Sequence, residues 1–77
     1  MRVEIDIHGY VEYDALKVLE KFIASCGNDV DEIVVIHGFH GGNVLKDMVR
    51  DKNKLRSKRI YRRKVSMNQG ETILELY

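Results

Sequence analysis

Asp6, His8, His37 and His40 are the side chains of this chain best suited to proton chemistry. Imidazole titrates near neutral pH, so a histidine can take or give a proton, and a neighbouring carboxylate orients the ring or favours its charged form. Asp6 precedes His8 by two residues, so on an extended strand both side chains leave the same face, about 7 Å apart. Gly38, Gly41 and Gly42 interrupt the stretch around His37 and His40. A glycine-rich turn feeding a helix lets backbone approach a ligand closely, and the N–H groups around Gly41, Gly42 and Asn43 at the helix start suit a phosphate. Each feature also has a plain structural reading: a histidine donating to a carbonyl, and glycines that relieve a tight turn.

The elements that must position these groups follow from periodicity. Arg2 to His8 alternates, with Val3, Ile5 and Ile7 on one face and Glu4, Asp6 and His8 on the other, which predicts a half-buried strand ended by Gly9. Ala15, Leu19, Phe22, Ile23 and Cys26 recur at helical spacing, with Leu16 widening the stripe, over a helix from Glu12 to Ser25. Gly27 suits the left-handed position past that helix. Glu32 to His37 is a β-branched run suited to a strand buried on both faces. Asn43 is the expected N-cap of a second helix whose stripe is Val44, Leu45, Met48, Val49 and Leu55. Ile60 to Met67 and Thr72 to Leu76 read as an antiparallel hairpin around Asn68-Gln-Gly-Glu, with Gly70 available for a positive φ.

Strand, helix and buried strand imply a right-handed βαβ unit with parallel pairing. The expected fold is α/β, a two-layer sandwich ordered β-α-β-α-β-β, with a mixed four-stranded sheet and both helices on one face. Ligands of parallel α/β sheets collect outside the carboxyl ends of the strands, where this topology gathers all three histidines.

Seventy-seven residues make one domain over residues 1–77 and exclude a multidomain enzyme, a barrel or a full dinucleotide-binding fold. No apolar run approaches a membrane span, and Met-Arg-Val-Glu-Ile-Asp does not read as a signal peptide. A lone cysteine, Cys26, excludes an internal disulfide and a Cys-based zinc site and points to a reducing cytoplasm. The net charge of +1 conceals segregation: −5 over residues 1–45, +8 over 46–64 and −2 over 65–77. A basic tract of this kind suits a nucleic acid, or equally a solvated helix face and an edge strand kept soluble by its charges.

Ile5-Asp6-Ile7-His8-Gly9 resembles the Leu-Asp-Leu-His-Gly signature of the Smr (small MutS-related) domain. Asp14-Ala15-Leu16 is similar to that family's Glu-Glu-Ala-Leu, and Val35-Ile36-His37-Gly38 followed by Gly41-Gly42 resembles its His-Gly-x-Gly loop. Thr72-Ile73-Leu74-Glu75-Leu76 is similar to its terminal Thr-Ile-Val-Glu-Leu. The resemblance spans essentially the whole chain. It implies a fold like the C-terminal domain of a bacterial translation initiation factor, nucleic-acid binding, and nicking endonuclease or endoribonuclease activity. The functional positions it implies are Asp6, His8, Gly9, His37, Gly38, Gly41 and Gly42. Two departures stand out: Phe39-His40 replaces the family's frequent Lys-Gly, and Val11 stands where a Thr or Ser usually caps the first helix.

The expected chemistry is hydrolysis of a phosphodiester, metal-independent or assisted by Mg²⁺ or Mn²⁺. One of His8 and His37 acts as base and the other as acid, Asp6 orients His8, and the amides of Gly41, Gly42 and Asn43 stabilise developing charge. Lys58, Arg59, Arg62, Arg63 and Lys64 hold the nucleic-acid backbone of DNA or RNA, and Phe39 or Tyr61 stacks on an unpaired base. Three alternatives stand beside it. One is a module that binds nucleic acid without cleaving it. Another is a metal-dependent small-molecule hydrolase with Asp6, His8, His37 and His40 as ligands, and the last is a protein-interaction domain paired through its basic strand. The expected state is a monomer or weak homodimer, with no membrane partner.

Overall fold

A computed structural model describes residues 1–39 and 43–77, so the expectations for His40, Gly41 and Gly42 lie outside the described residues. In chain order the elements are β1 (Arg2–Asp6), α1 (Glu12–Ser25), β2 (Glu32–Ile36), α2 (Val44–Arg50), β3 (Ile60–Val65) and β4 (Glu71–Leu76). The sheet runs β1-β2-β4-β3, with β1 and β2 parallel and the other two pairings antiparallel. This is the mixed four-stranded, two-layer arrangement that the periodicity predicts.

Register explains why one sheet face is apolar. Val3 pairs with Ile33, Ile5 with Val35, Ile33 with Leu74, Val35 with Thr72 and Ile60 with Leu76. Side chains alternate along a strand, so these residues share one face. They pack with Ala15, Leu19 and Ile23 of α1 and Met48 and Val49 of α2 in the core. Leu55 joins that core from the loop beyond α2, which stops at Arg50. Val44 is largely exposed rather than part of the stripe. β2 is buried on both faces, because Val34 is as inaccessible as its neighbours.

The opposite face carries an ion-pair network across all four strands. Arg2 bonds Glu32, Lys64 reaches both Glu32 and Glu75, and Arg62 bonds Glu75 at 2.7 Å. The Arg62 hydrogen bond, then Lys64, holds the Glu75 carboxyl below its usual range.

Several local expectations are corrected. Among the described residues only Gly9 (φ 81°) and Gly38 (φ 77°) have positive φ, so neither Gly27 nor Gly70 does. α1 ends instead by extension at Cys26, and the Arg59 guanidinium reaches across to the carbonyls of Ile23, Cys26 and Gly27. Its terminal carbonyls are thus satisfied by a cation, with no left-handed cap. At Gly70 the constraint is proximity: an added Cβ would lie 3.4 Å from both Gly38 Cα and Phe39 Cδ1. Asn43 occupies the N-cap of α2, but its side chain makes no capping bond, and Val11 makes none at α1.

Candidate active site and nucleic-acid interface

β1 ends at Asp6 rather than His8 because the chain turns through Ile7. The Ile7 N–H still bonds the Ile36 carbonyl, the side chain is fully buried, and the Tyr10 N–H closes the turn on the Ile7 carbonyl. Gly9 supplies the positive φ this turn requires. The turn folds His8 back onto Asp6: Nδ1 lies 2.6 Å from Asp6 Oδ1, which also accepts the His8 N–H at 3.0 Å. An extended strand would have held the two side chains apart. The His8 ring hydrogen bond, then its backbone N–H, lowers the Asp6 pKa. With Nδ1–H donated to the carboxylate, the lone pair of neutral His8 resides on Nε2, which has no partner among the described residues. The ring is 69% exposed. An imidazole fixed by a carboxylate, with its free nitrogen open to solvent, is the arrangement of a general base.

His37 has a different setting. It is 5% exposed, with Nδ1 2.8 Å from the Gly38 carbonyl and Nε2 2.8 Å from Thr72 Oγ1. A carbonyl only accepts, so Nδ1 carries the proton and Nε2 accepts from the Thr72 hydroxyl. The Thr72 oxygen in turn accepts from Arg50 Nε at 2.9 Å. Burial lowers the His37 pKa and the Arg50 and Lys46 charges lower it further, against the opposing Gly38 carbonyl. The ring is therefore held neutral with both nitrogens engaged. The His37 and Gly38 N–H groups both donate to the Gly70 carbonyl, tying this segment to the β3–β4 turn.

The two His-Gly segments meet at the sheet edge, where a Cβ built on Gly38 would lie 3.5 Å from His8 Cβ. Beside them an open cleft of about 420 Å³ is lined by Gly9, Tyr10, Val11, His37, Val44 and Leu45, among others. A neighbouring cleft of about 250 Å³ includes Phe39, Asn43, Lys46, Arg50 and Val65 in its lining and, among the described residues, no acidic one. Among the described residues no three His, Cys, Asp or Glu side chains gather as a metal's ligands. His37, with both nitrogens engaged, offers none.

The predicted nucleic-acid cations divide by role. Arg59 binds the C-terminal end of α1, and Arg63 donates to the Val49 carbonyl at 2.9 Å and to that of Leu55. Arg62 and Lys64 belong to the ion-pair face. Lys58 has no partner among the described residues.

The model of one family, the Smr domain, matches residues 5–72. The chain belongs to the Smr domain family. Smr domains are nuclease-associated and bind nucleic acid. No curated protein and no solved structure matches the chain. Among the described residues no helix is long and apolar enough to cross a membrane. Within this Smr domain, sequence reasoning did not single out Lys46 and Arg50, the cations that line the cleft beside Phe39. They stand four residues apart on α2, a spacing that places both on one helix face, and that signal was available. It also overlooked Thr72, whose pairing with His37 depends on the β2–β4 register.

Proposed function

We propose that this Smr domain is an endonuclease that cleaves phosphodiesters of RNA or DNA, with His8 as its general base. The observation that supports this most is the Asp6–His8 pair, joined at 2.6 Å with His8 Nε2 open to solvent. His8 Nε2 removes the proton from the attacking hydroxyl, which belongs to water or to a ribose 2′-OH. A bond forms to phosphorus, the bond to the leaving oxygen breaks, and that oxygen takes a proton from His40 or from solvent. Asp6 holds the ring and stabilises the imidazolium. Lys46 and Arg50 bind the phosphate in the adjoining cleft. The amides of Gly9 and Asn43 contribute donors beside it, whereas the Gly38 N–H is engaged by Gly70. A divalent cation, Mg²⁺ or Mn²⁺, would screen phosphate charge; the proton steps use Asp6 and His8.

His37 is a positioning residue in this scheme, sealed between Thr72 and Gly38. That same sealing favours a second reading, a module that binds without cleaving, since His8 is then the one exposed imidazole among the described residues. Purified protein incubated with labelled single- and double-stranded RNA and DNA, in EDTA and in Mg²⁺ or Mn²⁺, separates the two. Nicks that disappear in His8→Ala support the endonuclease. Binding without nicks in every condition assigns the domain to the second reading.

A further inference from the structure

β3 is an edge strand whose alternate residues have opposite electrostatic fates. Arg62 and Lys64 face the ion-pair layer and are neutralised by Glu75 and Glu32. Arg63 and Val65 lie on the helix-covered face, along the flank shared with α2 and the loop beyond it. Two clefts open on that flank. At the Val65 end of β3, the end of the sheet that also carries His37 and Gly38, is the cleft of Phe39, Lys46, Arg50 and Val65. At the far end of β3 is a larger one, about 540 Å³, whose lining includes Lys52, Arg56, Lys58, Tyr61 and Arg63. Among the described residues, no acidic side chain lines either cleft. Lys52 and Lys58 have no partner among the described residues, and Tyr61 is 60% exposed, its ring flanked edge-on by Tyr77 at 5.2 Å and by the Arg62 guanidinium at 6.0 Å.

These uncompensated cations favour a polyanion, and an exposed aromatic among them favours one with bases to stack. We propose that a single nucleic-acid strand runs along the β3–α2 flank, from the Asp6–His8 site to a second backbone-binding cleft at Lys52, Arg56 and Lys58. Tyr61 stacks on a base at that far end. The inference rests on nucleic acid being the ligand of this domain, and not on cleavage. The separation sets a length. Between the two clefts, five residue steps along β3 from Ile60 to Val65 span about 17 Å. A stacked strand rising ~3.4 Å per nucleotide covers it in about five steps, joining about six phosphates. Shorter oligonucleotides occupy one cleft only.

The test is fluorescence anisotropy in EDTA with labelled oligothymidylates and oligouridylates, from a tetranucleotide to about 16 nucleotides. The variant is Lys52→Gln/Lys58→Gln, and Lys17→Gln/Lys21→Gln on α1 carries the same change in net charge. The parent is expected to gain affinity sharply once the strand exceeds about five nucleotides beyond the first cleft. On long strands the Lys52/Lys58 variant loses roughly tenfold or more in affinity, and its salt slope falls by about 1.4, near 0.7 per lost single-strand contact. On the tetranucleotide, which the Lys46 and Arg50 cleft still holds, the loss is no more than about twofold, and the α1 control matches the parent throughout. Equal losses in both variants, a loss independent of length, or binding without a length step overturns this inference alone. A parent that binds no oligonucleotide, or binds only anionic vesicles, overturns the underlying nucleic-acid reading with it.

Discussion

Thr72→Val removes one hydroxyl from the interior and nothing else of comparable size. Thr72 is fully buried, and its oxygen serves two partners, donating to His37 Nε2 at 2.8 Å and accepting from Arg50 Nε at 2.9 Å. Valine has nearly the same shape and suits a strand, so area and propensity alone predict a neutral change. Hydrogen bonding predicts the opposite. His37 Nε2 is left without a donor in the interior and the Arg50 guanidinium without its acceptor, and an unmade buried bond costs about 1–3 kcal/mol. The two losses share one atom and are not fully additive, so the expected destabilisation is about 2–4 kcal/mol. At about 4–8 °C per kcal/mol for a domain of this size, Tm falls by about 8–30 °C. Thr72→Ser keeps the hydroxyl and loses a methyl, which costs about 1 kcal/mol. Thermal and urea unfolding followed by circular dichroism should therefore rank parent, Ser, then Val. A Thr72→Val protein as stable as Thr72→Ser, or more so, refutes the hydrogen-bonded account of His37.

The remaining predictions bear on other parts of the frame. Arg59→Met removes the donor to the Ile23, Cys26 and Gly27 carbonyls and should cost about 1.5–3 kcal/mol in urea unfolding; Arg59→Lys restores only part, since an ammonium lacks the fork. Gly9→Ala at φ 81° should cost about 1–2 kcal/mol by strain alone, because nothing lies within 4 Å of the added Cβ. Gly27→Ala, with no positive φ and only the Asp29 carboxylate to displace, should move stability by less than about 0.5 kcal/mol in the same assay. Burial places the folded pKa of His37 below its ordinary 6.5, so the unfolded chain takes the proton first. Its contribution to stability is complete above 6.5 and is lost as pH falls towards the folded pKa. Asp6 and Glu75 have lowered pKa values and act in a more acidic window, with stability present above their ordinary 3.8 and 4.5 and lost below. Tm measured against pH should decline first below 6.5, and His37→Gln should remove that first decline.

Much of the frame was legible because local pattern and tertiary demand agree. The alternation of Val3, Ile5 and Ile7 with Glu4 and Asp6, the stripe from Ala15 to Ile23 and the β-branched run before His37 each specify one element and the face it buries. α1 spans the residues its periodicity predicts. The pattern does not reveal how side chains choose distant partners. His37 lies at a strand end in sequence, but only the register pairing Val35 with Thr72 puts a hydroxyl against its ring. The basic tract is visible as charge. Whether an arginine turns to solvent, to a helix C-terminus as Arg59 does, or to a carboxylate as Arg62 does depends on what the fold brings within reach. Glycine types carry a similar ambiguity: Gly9 and Gly38 serve conformation, while Gly70 serves the close approach of two loops.

The most direct test of the central claim is the rate of phosphodiester cleavage by the parent and His8→Ala on the same labelled RNA and DNA, at equal protein concentration and with folding verified by circular dichroism. The His8 ring is exposed and makes its contacts with Asp6, so the substitution leaves the core intact. Loss of a general base predicts a fall of about 10²–10⁴-fold in rate, with oligonucleotide affinity retained. A His8→Ala protein that cleaves as fast as the parent contradicts the assignment of His8 as the base.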